Sequence, residues 1–143
     1  MRPFSKHLRL IFFYRLPVIA LCALIYWQSS SPGMISGSLF PHADKVLHFG
    51  AYAVLAVLFA RSLKQEKPFW SPLTLKLIVI FFAALYGLSD EIHQAFVPSR
   101  EMSGYDFLAD CAGSLAGCLV YLHFFPVKSN TAFSSKEGEG FSS

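Results

Sequence analysis

The sequence predicts an all-α integral membrane protein, a four-transmembrane-helix bundle with both termini cytoplasmic. Three observations carry that prediction. The 143 residues are 54% hydrophobic and only 15% charged, whereas a soluble domain carries about 25% charged residues. Four apolar stretches are long enough to cross a bilayer, which takes roughly 20 residues each. They run approximately from Leu8 to Trp27, Val46 to Leu63, Leu73 to Phe96 and Phe107 to Phe125. Finally, the basic residues are distributed to one side of the four spans.

That distribution sets the expected orientation. Arg2, Lys6, Arg9, Arg15, Arg61, Lys64, Lys67, Lys76, Lys128 and Lys136 fall on one side, and only Lys45 and Arg100 on the other. The positive-inside rule places the first group in the cytoplasm. Asp44, Asp90, Glu91, Glu101, Asp106 and Asp110 then belong to the outer half. Scattered Lys and Arg beside membrane spans set topology and touch anionic headgroups, so no nucleic-acid partner is expected.

The first segment, residues 1–27, joins a basic start to an apolar run. That run is longer than a signal peptide's apolar core, and no A-x-A-like site follows, so it reads as a retained helix. Residues 40–125 hold the other three helices. Residues 126–143, rich in Ser and Gly and without periodicity, read as a disordered cytoplasmic tail. Cys22, Cys111 and Cys118 lie in predicted spans with no C-x-x-C spacing and read as small buried hydrophobes.

Helix two opens DKVLHFGAYAVL. Asp44, His48, Tyr52 and Leu55 recur at helical spacing and share one face. Asp44 reads as the helix cap and Tyr52 as either a site residue or an interfacial anchor. His48 lies about one turn inside the span. Helix three is expected to end near Val97, because Pro98 disfavours helical geometry in the residue before it. Asp90 and Glu91 therefore sit at its C-terminus, where negative charge opposes the helix dipole. Compensation is expected from Arg100 first and Lys45 second, and Gln94 lies within reach of both acids. Helix four begins SGYDFLADCAGSLAG, with Asp106, Asp110, Gly113 and Gly117 in one stripe. Ser103 and Asp106 fit a capping box with Asp in place of Glu. Asp110 lies one turn deeper and needs a hydrogen-bonding partner if ionised. Gly113 and Gly117 form a G-x-x-x-G, which lets another helix approach closely and admits a homodimer.

These residues resemble the VanZ family. The resemblance rests on K-x-x-H-x-x-x-Y at Lys45, His48 and Tyr52, D-E-x-x-Q-x-F-V-P-x-R at Asp90 to Arg100, and S-x-x-D-x-x-A-D-x-x-G-x-x-x-G at Ser103 to Gly117. It covers roughly residues 40–120, without the first helix or the tail. It implies a small helical membrane protein, and the family's founding member is linked to resistance to the glycopeptide teicoplanin. The pattern favours Lys45, His48, Tyr52, Glu91, Gln94, Arg100, Asp106, Asp110, Gly113 and Gly117. This chain departs from it at Asp110, where the family usually has Asn. A carboxylate there is expected to be protonated or to pair with Lys45 or Arg100.

Three functions are consistent with this constellation. In the first, an outward-facing polar site binds or modulates a cell-envelope molecule, such as a lipid-linked cell-wall precursor or a glycopeptide. Lys45 and Arg100 would take its phosphate or carboxylate, with Tyr52, Gln94, Asp106 and Asp110 completing the binding site. The second is a membrane-embedded acid/base enzyme with Glu91 or His48 as the catalytic group. The third is a structural bundle whose polar set locks helix packing. His48, Glu91, His93 and Asp110 are of the residue types that bind metals, but no H-E-x-x-H or comparable spacing joins them. No metal site and no cofactor are predicted. The expected location is the inner (cytoplasmic) membrane, with membrane lipids as neighbours.

Overall fold

The computed structural model describes residues 5–31 and 42–126. Arg2 and the predicted tail from residue 127 on, with Lys128 and Lys136, lie outside the described residues. Among the described residues, four helices are long and apolar enough to span a membrane: α1 (Lys6–Ser29), α2 (Ala43–Glu66), α3 (Pro72–Gln94) and α4 (Gly104–Phe124). Contacts tie the start of α1 to the end of α2, where Arg15 pairs with Glu66 at 2.6 Å. Others tie the end of α1 to the end of α3, where Gln94 Nε2 donates to Ser29 Oγ at 3.3 Å. The helices therefore alternate in direction. The start of α2, the end of α3, the start of α4 and the end of α1 share one pole of the bundle.

Local chemistry explains the helix ends. Ser71 caps α3 by accepting the Thr74 N–H at 3.0 Å, with Pro72 at the first helical position. Pro17 has no N–H to give, and the turn before it, Ile11–Arg15, widens into a π-helix without breaking α1. The cap of α2 is His42, in the left-handed region at φ 65°, and its side chain makes no capping hydrogen bond. Asp44 thus lies inside the first turn, where its charge favours the helix dipole; it is not the cap. The α3 helix stops at Gln94, three residues short of the expected Val97. Tight turns close through Phe96 N–H to His93 O and Val97 N–H to Gln94 O, and Ser99 takes φ 67°. Pro98 therefore ends the turn that follows the helix, not the helix itself.

Packing centres on α2, α3 and α4. Ala56, Ala60, Leu75, Val79 and Cys118 are fully buried between them, with Tyr52, Leu55 and Ala83 nearer the polar pole. A Cβ on Gly113 would collide with the Phe49 carbonyl, and one on Gly117 with the Ala53 carbonyl. The G-x-x-x-G stripe therefore seats the backbone of α2 within the same chain, and a homodimer would need another surface. The helix α1 packs at the edge and is fastened by Tyr86 Oη donating to the Cys22 carbonyl at 2.6 Å. Phe12, Phe13, Ile19, Phe81, Leu108 and Phe124 are exposed around the bundle, as lipid-facing side chains of a spanning bundle are. Of the three cysteines only Cys118 is buried; Cys22 and Cys111 are half-buried.

Candidate functional site

The shared pole gathers the polar side chains that the sequence singled out, and it assigns several of them partners other than those expected. Ser103 begins α4 and its hydroxyl accepts the Asp106 N–H at 3.3 Å. A full capping box would return the Asp106 carboxylate to the Ser103 N–H. Glu91 of α3 takes that N–H instead, at 2.7 Å through Oε2. This contact compensates Glu91: its carboxylate sits against the positive end of α4, offsetting the unfavourable end of its own helix. Asp106 is free to reach Lys45, whose Nζ lies 2.9 Å from its Oδ1 and 2.8 Å from Asp44 Oδ2. Lys45 is thereby a clamp between α2 and α4.

Arg100 does not compensate Asp90 or Glu91. Its Nη2 donates to the carbonyls of Gln28 and Ser31, at 3.0 and 3.2 Å, where α1 ends, and so shares the Gln28 carbonyl with the Ser31 N–H. Its Nε is buried and has no acceptor among the described residues. Asp90 is held by Gln94, whose Nε2 lies 3.1 Å from its Oδ2.

Asp110 pairs with neither Lys45 nor Arg100. Its Oδ1 lies 2.9 Å from His48 Nδ1, and the carboxyl is fully buried. With Asp110 ionised, its carboxylate accepts and the proton of the pair lies on Nδ1. Room for this pair comes from Gly87, which the sequence reading did not single out. A Cβ there would stand 2.9 Å from Asp110 Oδ2 and 3.3 Å from the Tyr52 ring. Tyr52 is 1% exposed and cannot be an interfacial anchor. Its hydroxyl, Glu91 Oε1 and Asp110 Oδ2 are buried and unpartnered among the described residues.

His93 belongs elsewhere. It stacks on Tyr26 with ring centroids 4.6 Å apart, and its Nε2 meets Ser30 Oγ at 2.9 Å. Ser30 already donates to the Tyr26 carbonyl, so the imidazole donates to Ser30. This contact clasps α1 to α3.

A cavity of about 360 Å³ opens beside this network, between α1 and α2. Its walls are Leu21, Leu24, Ile25, Leu47 and Ala51, and its polar end is made by Gln28, Ser29, Asp44, His48, Tyr52, Asp90, Gln94 and Arg100. Of the site residues named from sequence, His48, Tyr52, Gln94 and Arg100 line it. Lys45, Glu91, Asp106 and Asp110 stand behind that wall as supports, and Gly113 and Gly117 only pack. Asp44, Asp90 and the α1 residues Gln28 and Ser29 are polar lining residues absent from the expected set. The D-E pair signalled Asp90, but nothing in the sequence signalled that the first helix would complete the cavity.

The family model of VanZ/LLP1 matches residues 2–126 of the chain. The match includes α1, and so extends beyond the 40–120 region that the motifs cover. Neither the curated proteins nor the solved structures gave a match.

Proposed function

The chain belongs to the VanZ/LLP1 family, and on that premise we propose that this multi-pass membrane protein binds an amphipathic cell-envelope molecule at the outer leaflet of the cytoplasmic membrane. The observation that carries the reading is the cavity: apolar along α1 and α2, polar at one end, and supplied there with a buried Arg100 Nε–H that lacks an acceptor among the described residues. An acyl or isoprenyl chain fits the apolar wall. A phosphate or carboxylate fits Arg100, because a buried donor gains most from a charged acceptor. Hydroxyl, amide or ammonium groups of the same headgroup would find acceptors in Asp90 and Gln94. This narrows the anion contact to Arg100, since both carboxylates near Lys45 already hold it.

The basic skew of the opposite pole supports an outward-facing site. A lipid-linked cell-wall precursor and a lipoglycopeptide both have the required chemistry, and the teicoplanin link of the family's founding member makes the second a direct test case. Wild type and Arg100→Gln, matched for membrane abundance, are to be compared in a teicoplanin-sensitive Gram-positive host. The reading expects wild type to raise the inhibitory concentration and the variant to lose most of that rise. Equal protection by both would remove Arg100 from the site and the reading with it. No protection by either would strike the glycopeptide from the ligands and leave the lipid-linked precursor.

The His48–Asp110 pair beside Glu91 favours a second reading, a membrane-embedded acid/base enzyme acting on the same class of molecule. An enzyme would lose turnover in His48→Gln and keep its ligand affinity. A binder has no turnover to lose.

A further inference from the structure

Among the described residues, the polar pole holds more buried carboxyl groups than it has cations paired with them. Among the described residues, Lys45 is held between Asp44 and Asp106 and Arg100 is turned to backbone carbonyls. Asp90, Glu91 and Asp110, at 4%, 0% and 0% exposure, are left with one imidazole, one amide and one backbone N–H. Buried carboxylates that are not paired are stable when they are neutralised or coordinate a metal. The geometry favours the metal. One ring nitrogen of His48 and one carboxylate oxygen each from Asp90 and Glu91 all lie within 4.8 Å of one another, so that small side-chain shifts would bring all three onto one cation. Glu91 supplies an independent sign: Oε2 is committed to the Ser103 N–H, while Oε1 is fully buried and has no partner among the described residues.

We propose that His48, Asp90 and Glu91 form a binding site for a divalent metal ion that takes mixed imidazole and carboxylate ligands, Zn²⁺ or Mn²⁺. Asp110 is its positioning residue. By accepting the Nδ1 proton it fixes the ring orientation and leaves the Nε2 lone pair for the ion, the usual carboxylate–histidine–metal arrangement. The ligands come from two helices, with His48 on α2 and the acidic pair on α3, so no metal-binding spacing appears in the sequence. Both His48 and Asp90 line the cavity, which gives the ion a path of entry and leaves coordination positions facing it. An ion there would also remove the repulsion that Asp90 presents to an anion at Arg100. The site does not depend on what occupies the cavity, and its test needs no amphiphile.

The full chain, purified in detergent and stripped with a chelator, is to be equilibrated with Zn²⁺ or with Mn²⁺ and freed of excess. Bound metal is then counted, and the Mn²⁺-loaded protein is examined by pulsed electron paramagnetic resonance for coupling to an imidazole nitrogen. The expected result is a single ion per chain, with Zn²⁺ and Mn²⁺ displacing each other. Nitrogen coupling should persist in His93→Gln and vanish in His48→Gln. Asp90→Asn, which keeps an acceptor for Gln94 and so keeps its fold, should weaken affinity at least about tenfold. The proposal is overturned if wild type retains no ion. It is equally overturned if His48→Gln and Asp90→Asn bind as wild type does, or if the nitrogen coupling is lost in His93→Gln instead.

Discussion

Asp110 is the residue on which the polar pole turns. Its two oxygens divide the work: Oδ1 meets the His48 imidazole, and Oδ2 fits the space that Gly87 leaves open. Asp110→Asn keeps an acceptor for the His48 Nδ1–H and should fold with a loss of about 1 kcal/mol, whereas Asp110→Leu strands that donor and should cost about 1–3 kcal/mol more. Denaturant titration in detergent, read by intrinsic fluorescence, measures both. Gly87→Ala places a methyl 2.9 Å from Asp110 Oδ2 and 3.3 Å from the Tyr52 ring, and should destabilise by about 1–3 kcal/mol through overpacking. The sequence identified Asp110 as a buried group in need of a partner, and identified His48 as a group one turn inside the span. It did not pair them, because residues on different helices meet according to the depth at which two backbones cross, and no spacing along the chain records that depth. Gly87 escaped notice for the same reason: an isolated glycine in an apolar helix has no pattern, and its function appears only when Asp110 is opposite.

At the scale of the elements, the tightest seam is between α2 and α4, where Gly113 and Gly117 take the carbonyls of Phe49 and Ala53 into the space of the missing side chains. The G-x-x-x-G spacing was readable in the sequence as a place of close approach, but the identity of the partner helix was not. Either Gly→Ala change should therefore cost about 3 kcal/mol or more, because the atom in the way is backbone and cannot swing aside. Gly50→Ala on α2 is the matched control. Among the described residues nothing stands within 4 Å of its Cβ position, so the better helix propensity of Ala should leave it neutral or stabilised by up to about 1 kcal/mol. Thermal unfolding of the three variants distinguishes these outcomes. The junction of α3 with α4 was legible only in part. The S-x-x-D spacing marks Ser103 as the start of a helix, but its reciprocal partner is Glu91 from the preceding helix, with Asp106 drawn away by Lys45. A local capping rule cannot foresee a tertiary competitor that offers a full charge to the same N–H. This role also means that Glu91→Gln tests packing and function together, as Arg100→Gln does through the end of α1, so either variant needs a readout of fold beside that of function.

At the scale of the whole molecule, the four spans were plain in the composition, since no other arrangement buries so few charges among so many apolar residues. What composition concealed was the asymmetry of the bundle. Three helices form the packed body, and α1 lies against it as one wall of a cavity, held by Tyr86, by the Tyr26–His93–Ser30 clasp and by Arg100 at its end. A cavity between a peripheral helix and a packed core suits a molecule that arrives from the lipid side, with its chain along the apolar wall and its headgroup at the polar pole. The central claim is that this pole recognises a charged headgroup, in contrast to a polar lock that only fixes the packing. It is tested most directly by measuring the affinity of the detergent-solubilised chain, in metal-free buffer, for a short isoprenyl diphosphate and for the corresponding alcohol. The account predicts that the diphosphate binds at least about tenfold more tightly, a headgroup difference of about 1.4 kcal/mol, and that Arg100→Gln abolishes the difference while preserving the weaker binding of the alcohol. Equal affinities in the wild type, or a diphosphate preference that survives in Arg100→Gln, would contradict it.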